Sequence, residues 1–442
     1  MAANFPRNMK PEIREYLADA YRLAQQWRLP CGATAENSEA ADLRNVGVVG
    51  GGTMGRGIAI ALVRAGYESV TMVEHDEKAL ETCRRELVVT YKREQKLGRL
   101  HEKDLARLRS PAIFRFTTNL NELSECDLVI EAIFENMAMK LELIGKLDRV
   151  LRPDAVVGSN TSTLDIDKLA SALRDPSRLV GIHFFTPAHV IRVVELVHGS
   201  KTSGRAVATA FAACQAMKKV GVLVGNCPAF VFNRLLFAYM ECAHRLCYIH
   251  GLLPHDIDKA ITSNGFLMGP LTVIDMNGID VSCKARMENG WPQNPIEEEL
   301  MKRNRYGRKT GAGFYFYDKS SKKHPDVVVE NIIRELADKH GKEKNTNIRS
   351  KQDILEFVLF PLVNEGFHCL EEGMIADAKL IDILFVLGFG WPLSSGGPMR
   401  WAEKDAGLHR IHAALTNWAA CDPDDRWYRM SKTIAACTKA KI

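Results

Sequence analysis

The chain has 442 residues, of which 46% are hydrophobic, and a formal net charge of +5 from 59 Lys and Arg against 54 Asp and Glu. This composition indicates a globular protein of two or three domains and excludes a fibre, a mini-protein and a mostly disordered chain. So small a charge excess does not indicate nucleic-acid binding. The 11 cysteines include no C-x-x-C pair, so we expect no metal site and interpret them as buried apolar residues in a reducing compartment.

The N-terminal residues are not typical of an export signal. They mix acidic and basic side chains with almost no serine, unlike a secretory signal or a transit peptide. No apolar run in the chain reaches the length that spans a bilayer, so we expect no membrane span.

Residues 45–225 alternate short β-branched runs with helical stretches, a pattern typical of a parallel α/β sheet. Helices are predicted over Thr53–Ala65 and over the long proline-free stretch Glu77–Arg109. From Pro228 onward helical periodicity predominates, which predicts a helical region. The predicted strands are Val46–Val49, Ser69–Val73, Asp127–Ile130, Ala155–Gly158, Leu179–His183, Ile191–Val197 and Gly221–Val224.

A glycine-rich loop joins the first predicted strand to the first helix. Gly50, Gly52 and Gly55 form a G-x-G-x-x-G pattern, which allows a tight turn, the approach of a pyrophosphate and close packing of helix on strand. The helix N-terminus adds free N–H groups. Glu74 ends the next strand, where a carboxylate accepts hydrogen bonds from an adenosine ribose and repels a 2′-phosphate. These features predict NAD rather than NADP, with a structural glycine turn and a solvent-facing glutamate as the alternative.

His183 lies at the C-terminal end of a predicted strand, where doubly wound sheets bind their ligands. Imidazole transfers protons near neutral pH, and an apolar setting beside Phe184 and Phe185 would keep it neutral. Glu195 interrupts the following apolar strand and could orient the imidazole ring. Taken alone, the histidine could equally be structural, and the glutamate could face water.

Two further polar segments are candidates for contacts with substrate or nicotinamide. Ser159-Asn160-Thr161-Ser162-Thr163 follows a strand at the same edge of the sheet, and a helix N-cap is its alternative role. Asn233 lies early in an apolar helix, where its amide requires a partner that could be protein alone.

The helical region contains a degenerate but ordered repeat. Its two copies are separated by the polar, proline-containing stretch 319–325, which is typical of a connector. Two such units would bury each other's apolar faces, so the second is expected to serve stability rather than chemistry. The matched positions are Cys247 with Cys369, Gly251 with Gly373, Asp258 with Asp382, and Gly269-Pro270 with Gly397-Pro398.

The last three residues, Ala440-Lys441-Ile442, have the small–basic–aliphatic form of a peroxisomal import signal, with Ile in place of the usual Leu. They predict a peroxisomal protein that binds an import receptor. The cytoplasm is the alternative location.

Together these segments resemble the 3-hydroxyacyl-CoA dehydrogenase family, and in particular the dehydrogenase half of the peroxisomal multifunctional enzymes of fatty-acid β-oxidation. The likeness covers residues 27–317, and a second helical copy is a feature of the multifunctional form. No hydratase module is seen, so we expect no hydratase or isomerase activity. The motifs that carry the resemblance are Gly47–Gly57, Asp127–Glu135, Ser159–Ser162, His183–Val190, Arg234–Leu236, Met268–Pro270 and Gly307–Tyr315.

The resemblance implies an α/β Rossmann-type NAD-binding domain followed by two all-α C-terminal domains, the second a duplicate of the first. It implies hydride transfer between C3 of a (3S)-3-hydroxyacyl-CoA and NAD, with His183 as general base oriented by Glu195. The domains would be 1–44 (N-terminal helix and linker), 45–225 (NAD-binding), 226–330 (substrate side) and 331–442 (structural copy). The residues expected to contact NAD are Gly50, Gly52, Thr53, Met54, Gly55, Glu74, Glu135, Lys140, Asn160, Ser162 and Lys309, and those expected to contact substrate are Ser162, Asn233, Thr90 and Lys96.

Three positions refine this expectation. Gly51 adds a third glycine, which would make the loop more flexible. Leu355 takes the place of Asn233 in the second copy, so that copy would be chemically silent, replace a dimer partner and allow a monomer. The basic stretch 84–109 would face the phosphates of CoA, or solvent alone.

The alternative functions for the whole protein are a dehydrogenase of a small hydroxy acid and a silent paralogue that binds NAD or acyl-CoA. The preferred acyl length is not predicted.

Overall fold

The computed structural model describes residue 6 and residues 9–288, 290–340, 348, 350–423 and 425–437. The predicted import signal, Ala440-Lys441-Ile442, lies outside these ranges. The chain forms two compact units. The first unit is built on Leu17–Phe230, and the second on Val231–Ile442 together with Phe5–Tyr16.

The first unit, over the residues that the structure describes, contains a sheet of eight strands in the order β3-β2-β1-β4-β5-β6-β7-β8. Its first six positions have the order of a doubly wound dinucleotide-binding sheet. The central strands are buried on both faces, which is why they read as continuous apolar runs. The predicted Rossmann-type domain is therefore confirmed. The strands are β1 Asn45–Val49, β2 Ser69–Val73, β3 Phe114–Thr117, β4 Leu128–Glu131, β5 Val156–Ser159, β6 Leu179–Phe184, β7 Val193–His198 and β8 Val220–Gly225.

Helices connect these strands and cover the sheet. The apolar side chains of the strands pack against them in one buried cluster that includes Ile58, Leu62, Val180 and Phe211. The helices that begin in this part of the chain are α1 Pro11–Ala24, α2 Thr53–Ala65, α3 Glu77–Lys96, α4 Glu102–Arg109, α5 Met137–Val150, α6 Ile166–Ala170 and α7 Gly204–Ala216.

The sequence prediction was wrong in three respects within this unit. The single helical stretch Glu77–Arg109 is two helices, because the chain turns at Gly98 and starts again with the Asp104 carboxylate accepting a hydrogen bond from the His101 N–H. Strand β3 was missed, although its sequence Phe-Arg-Phe-Thr alternates apolar and polar residues, which is typical of a half-buried strand. The sheet is also not wholly parallel, since β6 and β7 pair antiparallel.

The second unit is helical apart from the short hairpin of β9 (Phe316–Tyr317) and β10 (Lys323–His324). Two long helices, α8 and α14, pack against each other at its centre. Phe232 of α8 also packs on the segment Phe385–Phe389, and its ring lies 5.0 Å from that of Phe385. The helices are α8 Phe232–Tyr248, α9 Pro254–Thr262, α10 Pro270–Asn277, α11 Ile279–Glu288, α12 Pro295–Lys302, α13 Val327–His340, α14 Lys351–Glu371, α15 Ala378–Leu384, α16 Pro398–Trp401, α17 Leu408–Cys421 and α18 Lys432–Ala436.

Among the described residues, no helix is both long and apolar enough to cross a bilayer. Most of the cysteines are buried as expected, whereas Cys31 is exposed and Cys227, Cys421 and Cys437 are half-buried.

Candidate active site

The glycine-rich loop between β1 and α2 is shaped by close backbone contacts. Gly50 has φ 102°, and a Cβ there would lie 2.7 Å from the carbonyl oxygen of Ala132. A Cβ on Gly55 would lie 1.7 Å from the carbonyl oxygen of Gly50, so helix and strand pack too closely for a side chain. A Cβ on Gly52 would meet nothing within 4 Å. The loop therefore presents open backbone at the start of a helix, which suits a pyrophosphate.

The third glycine of this loop, Gly51, is held against Glu74. The Gly51 N–H donates to the Glu74 carboxylate at 2.5 Å. A Cβ at Gly51 would lie 2.6 Å from the sulfur of Cys83, so this position needs a glycine for packing. The other oxygen of Glu74 lies 2.9 Å from His75 Nδ1, and this hydrogen bond raises the pKa of the exposed His75. Glu74 is thus fixed beside the loop, at the end of β2, where the sequence placed a ribose acceptor.

Thr53 and Met54 form the first turn of α2. Thr53 is exposed and Met54 is half-buried. The Thr186 hydroxyl lies 3.1 Å from the Met54 sulfur, which links this turn to the loop after β6. Both predicted cofactor residues therefore lie at the same sheet edge as the glycines.

His183 and Glu195 face each other across β6 and β7. They are direct partners in the antiparallel register, and His183 Nδ1 lies 2.9 Å from Glu195 Oε2. The side chain of Glu195 is fully buried, and that of His183 is 7% exposed. The ring of Phe185 lies 4.8 Å and that of Phe230 6.0 Å from the imidazole. A buried carboxylate on Nδ1 fixes the tautomer and leaves proton transfer to Nε2.

The segment after β5 is organised by one carboxylate, that of Glu135. It accepts hydrogen bonds from the Thr161 hydroxyl at 2.6 Å and from the Ser162 N–H at 2.8 Å. The Ser162 hydroxyl lies 3.3 Å from the same oxygen. Asn160 bonds differently, because its side-chain oxygen accepts from the Phe184 N–H at 2.9 Å. Asn160 is therefore fixed near the end of the strand that carries His183, and Ser162 is fixed against Glu135.

Burial raises the pKa of the Glu135 carboxyl, but the Lys140 ammonium and the hydrogen bonds from Thr161 and Ser162 outweigh it, so the net pKa is lowered. Lys140 is itself 1% exposed, and its ammonium lies 2.8 Å from Glu131 and 3.4 Å from Glu135. An NAD contact by Lys140 remains a prediction, because the side chain is enclosed by protein.

Comparisons with known proteins bear directly on this site. Residues 45–227 match the profile of the 3-hydroxyacyl-CoA dehydrogenase NAD-binding domain, and residues 230–317 match that of the 3-hydroxyacyl-CoA dehydrogenase C-terminal domain. The dehydrogenase part of multifunctional enzyme 1 from C. elegans is 46% identical, with 97% of each chain covered and a TM-score of 0.71. The chain belongs to the 3-hydroxyacyl-CoA dehydrogenase family.

Two further relatives define the extent of this likeness. The peroxisomal bifunctional enzyme of Danio rerio is 37% identical over 429 residues, which cover 93% of this chain and 58% of that enzyme. The chain thus spans less than two thirds of this curated relative. The (S)-3-hydroxybutyryl-CoA dehydrogenase of Ralstonia eutropha is 32% identical over 63% of this chain and all of its own, with a TM-score of 0.58. The predicted NAD-dependent dehydrogenase is therefore confirmed at the level of the family.

Two of the remaining predicted site residues, Asn233 and Lys309, belong to the second unit. Asn233 is half-buried in the first turn of α8. The exposed Lys309 makes an ion pair of 2.5 Å with Asp280. Their roles stay predictions, since each is described only within its own unit.

The basic stretch on α3 and α4 is engaged mostly within the protein. Arg93 and Arg99 both pair with the buried Glu94, at 3.0 and 3.3 Å. Thr90 donates its hydroxyl to the Glu86 carbonyl of its own helix at 3.0 Å, and Lys96 is exposed in the last turn of α3. Substrate contacts by Thr90 and Lys96 stay predictions, and a structural role accounts for Arg93 and Arg99.

Sequence reasoning missed one buried acid at this 3-hydroxyacyl-CoA dehydrogenase site. Glu131 ends β4, is 0% exposed, and holds the Lys140 ammonium. It lies inside the motif Asp127–Glu135 that carried the resemblance, at the end of an apolar strand where a charged residue is unusual. An acidic residue at that position was the sequence signal that could have identified Glu131 as a site residue.

Proposed function

We propose that the protein oxidises (3S)-3-hydroxyacyl-CoA thioesters with NAD, in fatty-acid β-oxidation, and catalyses the reverse reduction. The observation that carries this proposal is the buried His183–Glu195 pair, with 2.9 Å between Nδ1 and Oε2. A neutral imidazole oriented in this way takes a proton from a hydroxyl near neutral pH. Glu195 then stabilises the imidazolium without taking the proton itself.

His183 Nε2 takes the proton of the substrate's 3-hydroxyl group as the C3 hydrogen leaves with its electron pair. NAD supplies the hydride acceptor when bound. The Ser162 hydroxyl and the Asn233 amide hydrogen-bond the reacting oxygen and the thioester side of the substrate, and Thr90 and Lys96 contact the CoA portion. Glu195 is a positioning residue in this scheme, because it acts through His183.

The residues around the glycine loop fit NAD. The open backbone at Gly52 and the first turn of α2, with Thr53 and Met54, accommodate the pyrophosphate. Glu74 accepts the ribose hydroxyls, since its carboxylate is already fixed by the Gly51 N–H. Glu135, Asn160 and Ser162 take the nicotinamide side, and Lys309 contributes from the second unit.

We further propose that the second unit holds two copies of one helical domain, with boundaries at 226–330 and 331–442 after a linker (1–44) and an NAD-binding domain (45–225). Within that unit α8 packs on α14, and Arg234 makes an ion pair of 2.7 Å with Glu365. A second copy packed in this way would occupy the place of a dimer partner, so the protein would be a monomer. Sedimentation at micromolar concentration tests this.

The relatives named as peroxisomal support a peroxisomal location for this protein. Fluorescence microscopy of the tagged chain, with Lys441→Ala as the comparison, tests both the location and the predicted receptor contact of Ala440-Lys441-Ile442. Diffuse fluorescence of the unaltered chain would favour the cytoplasm.

The enzyme assay is direct. Purified protein with acetoacetyl-CoA and NADH should lose absorbance at the nicotinamide band, and His183→Gln should abolish that loss while His409→Gln, on the exposed face of α17, should not change it. A series of acyl lengths would give the substrate preference. NADH binding without turnover at any length would identify a silent binding paralogue instead.

A further inference from the structure

A loop in the second unit, residues 307–313, carries the predicted cofactor residue Lys309. The Gly307 N–H donates to the Ala312 carbonyl at 2.8 Å, and the Thr310 hydroxyl lies 3.1 and 3.0 Å from the Gly307 and Ala312 carbonyl oxygens. These contacts hold the loop together from within. The place of Lys309 therefore depends on what holds the ends of the loop against the rest of the unit.

Both ends of the loop lie against Asp275, which is 1% exposed near the end of α10. A Cβ on Gly313 would lie 2.0 Å from Asp275 Oδ1, and a Cβ on Gly307 would lie 2.3 Å from the Asp275 carbonyl oxygen. Since no side chain fits at either glycine, the loop and α10 approach each other at backbone distance. This close packing places the loop on the end of α10.

The Asp275 carboxylate also holds the segment that follows the loop. It accepts hydrogen bonds from the Phe314 N–H at 2.8 Å, the Tyr315 N–H at 3.0 Å and the Tyr317 hydroxyl at 3.1 Å. Burial raises the pKa of the Asp275 carboxyl to about 6, so the group is ionised at pH 8. An ionised carboxylate accepts all three bonds, whereas an amide would turn its NH₂ group towards at least one of the donors.

The Lys309 ammonium lies at the junction of α10 and α11. It makes an ion pair of 2.5 Å with Asp280 in the first turn of α11, and a Cβ on Gly278 would lie 2.8 Å from its nitrogen. The Lys309 side chain is nonetheless 47% exposed. Because an ammonium has three N–H donors, this one can bind an oxygen of a ligand while it keeps Asp280. The backbone of the loop and its charged group are thus both placed by the same corner of the unit.

We infer that Asp275 is a positioning residue for the cofactor, which fixes the 307–313 loop on α10 and so places the Lys309 ammonium for an oxygen atom of NAD. The inference rests on the proposed function, in which Lys309 contacts NAD. Asp275 is enclosed by the loop that it holds, so it acts through Lys309 and does not touch the cofactor itself. The resemblance assigns a contact to Lys309 and no role to Asp275.

A purely structural aspartate at this place would give a different pattern of binding. It would change the stability of the helical unit, and any effect on NADH affinity would be the same with or without Lys309. An aspartate that acts through Lys309 affects NADH affinity only while the ammonium is present. The two roles are therefore separated by a double-mutant cycle, in which each substitution is made alone and both are made together.

The experiment measures the Kd of NADH by nicotinamide fluorescence at pH 8, with the full chain. Lys309→Met should raise the Kd about tenfold, because it removes a charged donor to the cofactor. Asp275→Asn should raise it about fivefold, and the double variant should bind NADH within about twofold of Lys309→Met alone. Asp256→Asn, at an exposed carboxylate in the first turn of α9, is the matched control and should leave the Kd unchanged.

A milder variant carries the test if Asp275→Asn does not fold, as judged by its far-UV circular dichroism. Tyr317→Phe removes one of the three donors and keeps the carboxylate. It should raise the Kd of NADH about two- to threefold, and should not raise it in the Lys309→Met background. Amide hydrogen exchange in residues 307–317, measured without ligand, should speed up at least about threefold in either variant.

Equal fold-changes for Asp275→Asn with and without Lys309 would overturn the inference, since Asp275 would then act independently of the ammonium. An unchanged Kd in Asp275→Asn, or in Lys309→Met, would overturn it as well. Failure of the proposed function is distinguishable, because it would be seen as no turnover of acetoacetyl-CoA by the unaltered protein.

Discussion

Asp258 and Asp382 occupy matching places in the two halves of the helical unit. Each buried carboxylate accepts hydrogen bonds from the first N–H groups of a helix that begins with Gly-Pro. Asp258 accepts from the Leu271 and Thr272 N–H groups at 3.0 and 3.1 Å. Asp382 accepts from the Met399 and Arg400 N–H groups at 2.7 and 3.1 Å. Both arrangements satisfy helix ends that would otherwise lack acceptors.

The two carboxylates differ in what else surrounds them. Asp258 receives the Tyr315 hydroxyl at 2.8 Å from within its own half, and the Lys323 ammonium lies 3.4 Å away. Asp382 receives the Tyr16 hydroxyl at 2.6 Å from the N-terminal helix. Burial raises the pKa of the Asp382 carboxyl to about 7. The backbone role of the aspartate is thus retained in both halves, while its charge balance differs.

The helices that precede these aspartates differ in chemistry as well. Asn233 stands in the first turn of α8, whereas the matching residue of α14 is Leu355, which is 4% exposed. The polar amide of the first half is replaced by core packing in the second. The comparison teaches that contacts which hold helices together recur in both halves, whereas the group proposed for substrate binding occurs in the first half alone among these matched positions.

The largest expected effect separates these two helices. Asn233→Leu should lower kcat/KM for acetoacetyl-CoA by about 10²–10³-fold, because it removes a hydrogen bond made to the reacting substrate. Leu355→Asn should leave kcat/KM unchanged and lower stability, since it buries an amide in place of a methyl-bearing side chain. Steady-state kinetics and thermal unfolding of both variants check this. Equal losses of activity in the two would contradict the proposed silence of the second half.

The next effect separates the two aspartates. Asp258→Asn should lower the free energy of unfolding at pH 6 by about 2–3 kcal/mol, because it leaves Lys323 without its counter-ion and offers an amide to N–H donors. Asp382→Asn should cost less at this pH, about 1 kcal/mol, since an amide resembles the protonated carboxyl. Denaturant unfolding of the two variants measures the difference. A larger loss for Asp382→Asn would show that its carboxyl is ionised at pH 6.

A smaller effect concerns pH. A carboxyl whose pKa is raised from 3.8 to about 7 on folding binds its proton more tightly in the folded state. Its contribution therefore favours folding at low pH and is lost as the pH rises through this window, by roughly 2 kcal/mol between pH 5 and 8. Asp382→Asn should remove this slope. Parallel unfolding curves at pH 5, 6, 7 and 8 test it, and an unchanged slope in the variant would assign the slope to other groups.

The smallest effect concerns the two tyrosines. Tyr16→Phe should destabilise the protein by about 1 kcal/mol, the value of one hydrogen bond to a buried acceptor. Tyr315→Phe should cost no more, because Thr272 and Lys323 continue to satisfy Asp258. Differential scanning calorimetry resolves shifts of this size. A loss of stability for Tyr315→Phe well above that for Tyr16→Phe would contradict this prediction, because the first half would then depend more on its tyrosine than the second half does.

The features of this molecule that could be predicted were those that depend on short sequence patterns. The strand ends placed Gly50, Glu74 and His183 at one sheet edge, whereas the apolar run of β7 left open whether Glu195 contacts His183 or faces water. The break at Gly98 was missed because a single glycine inside a helical pattern is usually tolerated. The Glu131–Lys140 pair and the Tyr16–Asp382 bond could not be predicted, because each depends on residues brought together by packing. The partner of a buried charge cannot be identified from the residues that flank it in the sequence.

The antiparallel register of β6 and β7 limits which sequence changes this chain can accept in evolution. His183 and Glu195 meet because they are direct partners in this register. A shift of one residue would turn Glu195 to the other side of the sheet, where it could not reach the imidazole. The connecting loop can accept changes of sequence and length, as loops generally do, whereas an insertion or deletion inside β6 or β7 would shift the register. The proposed chemistry therefore depends on the strand register as well as on the two side chains.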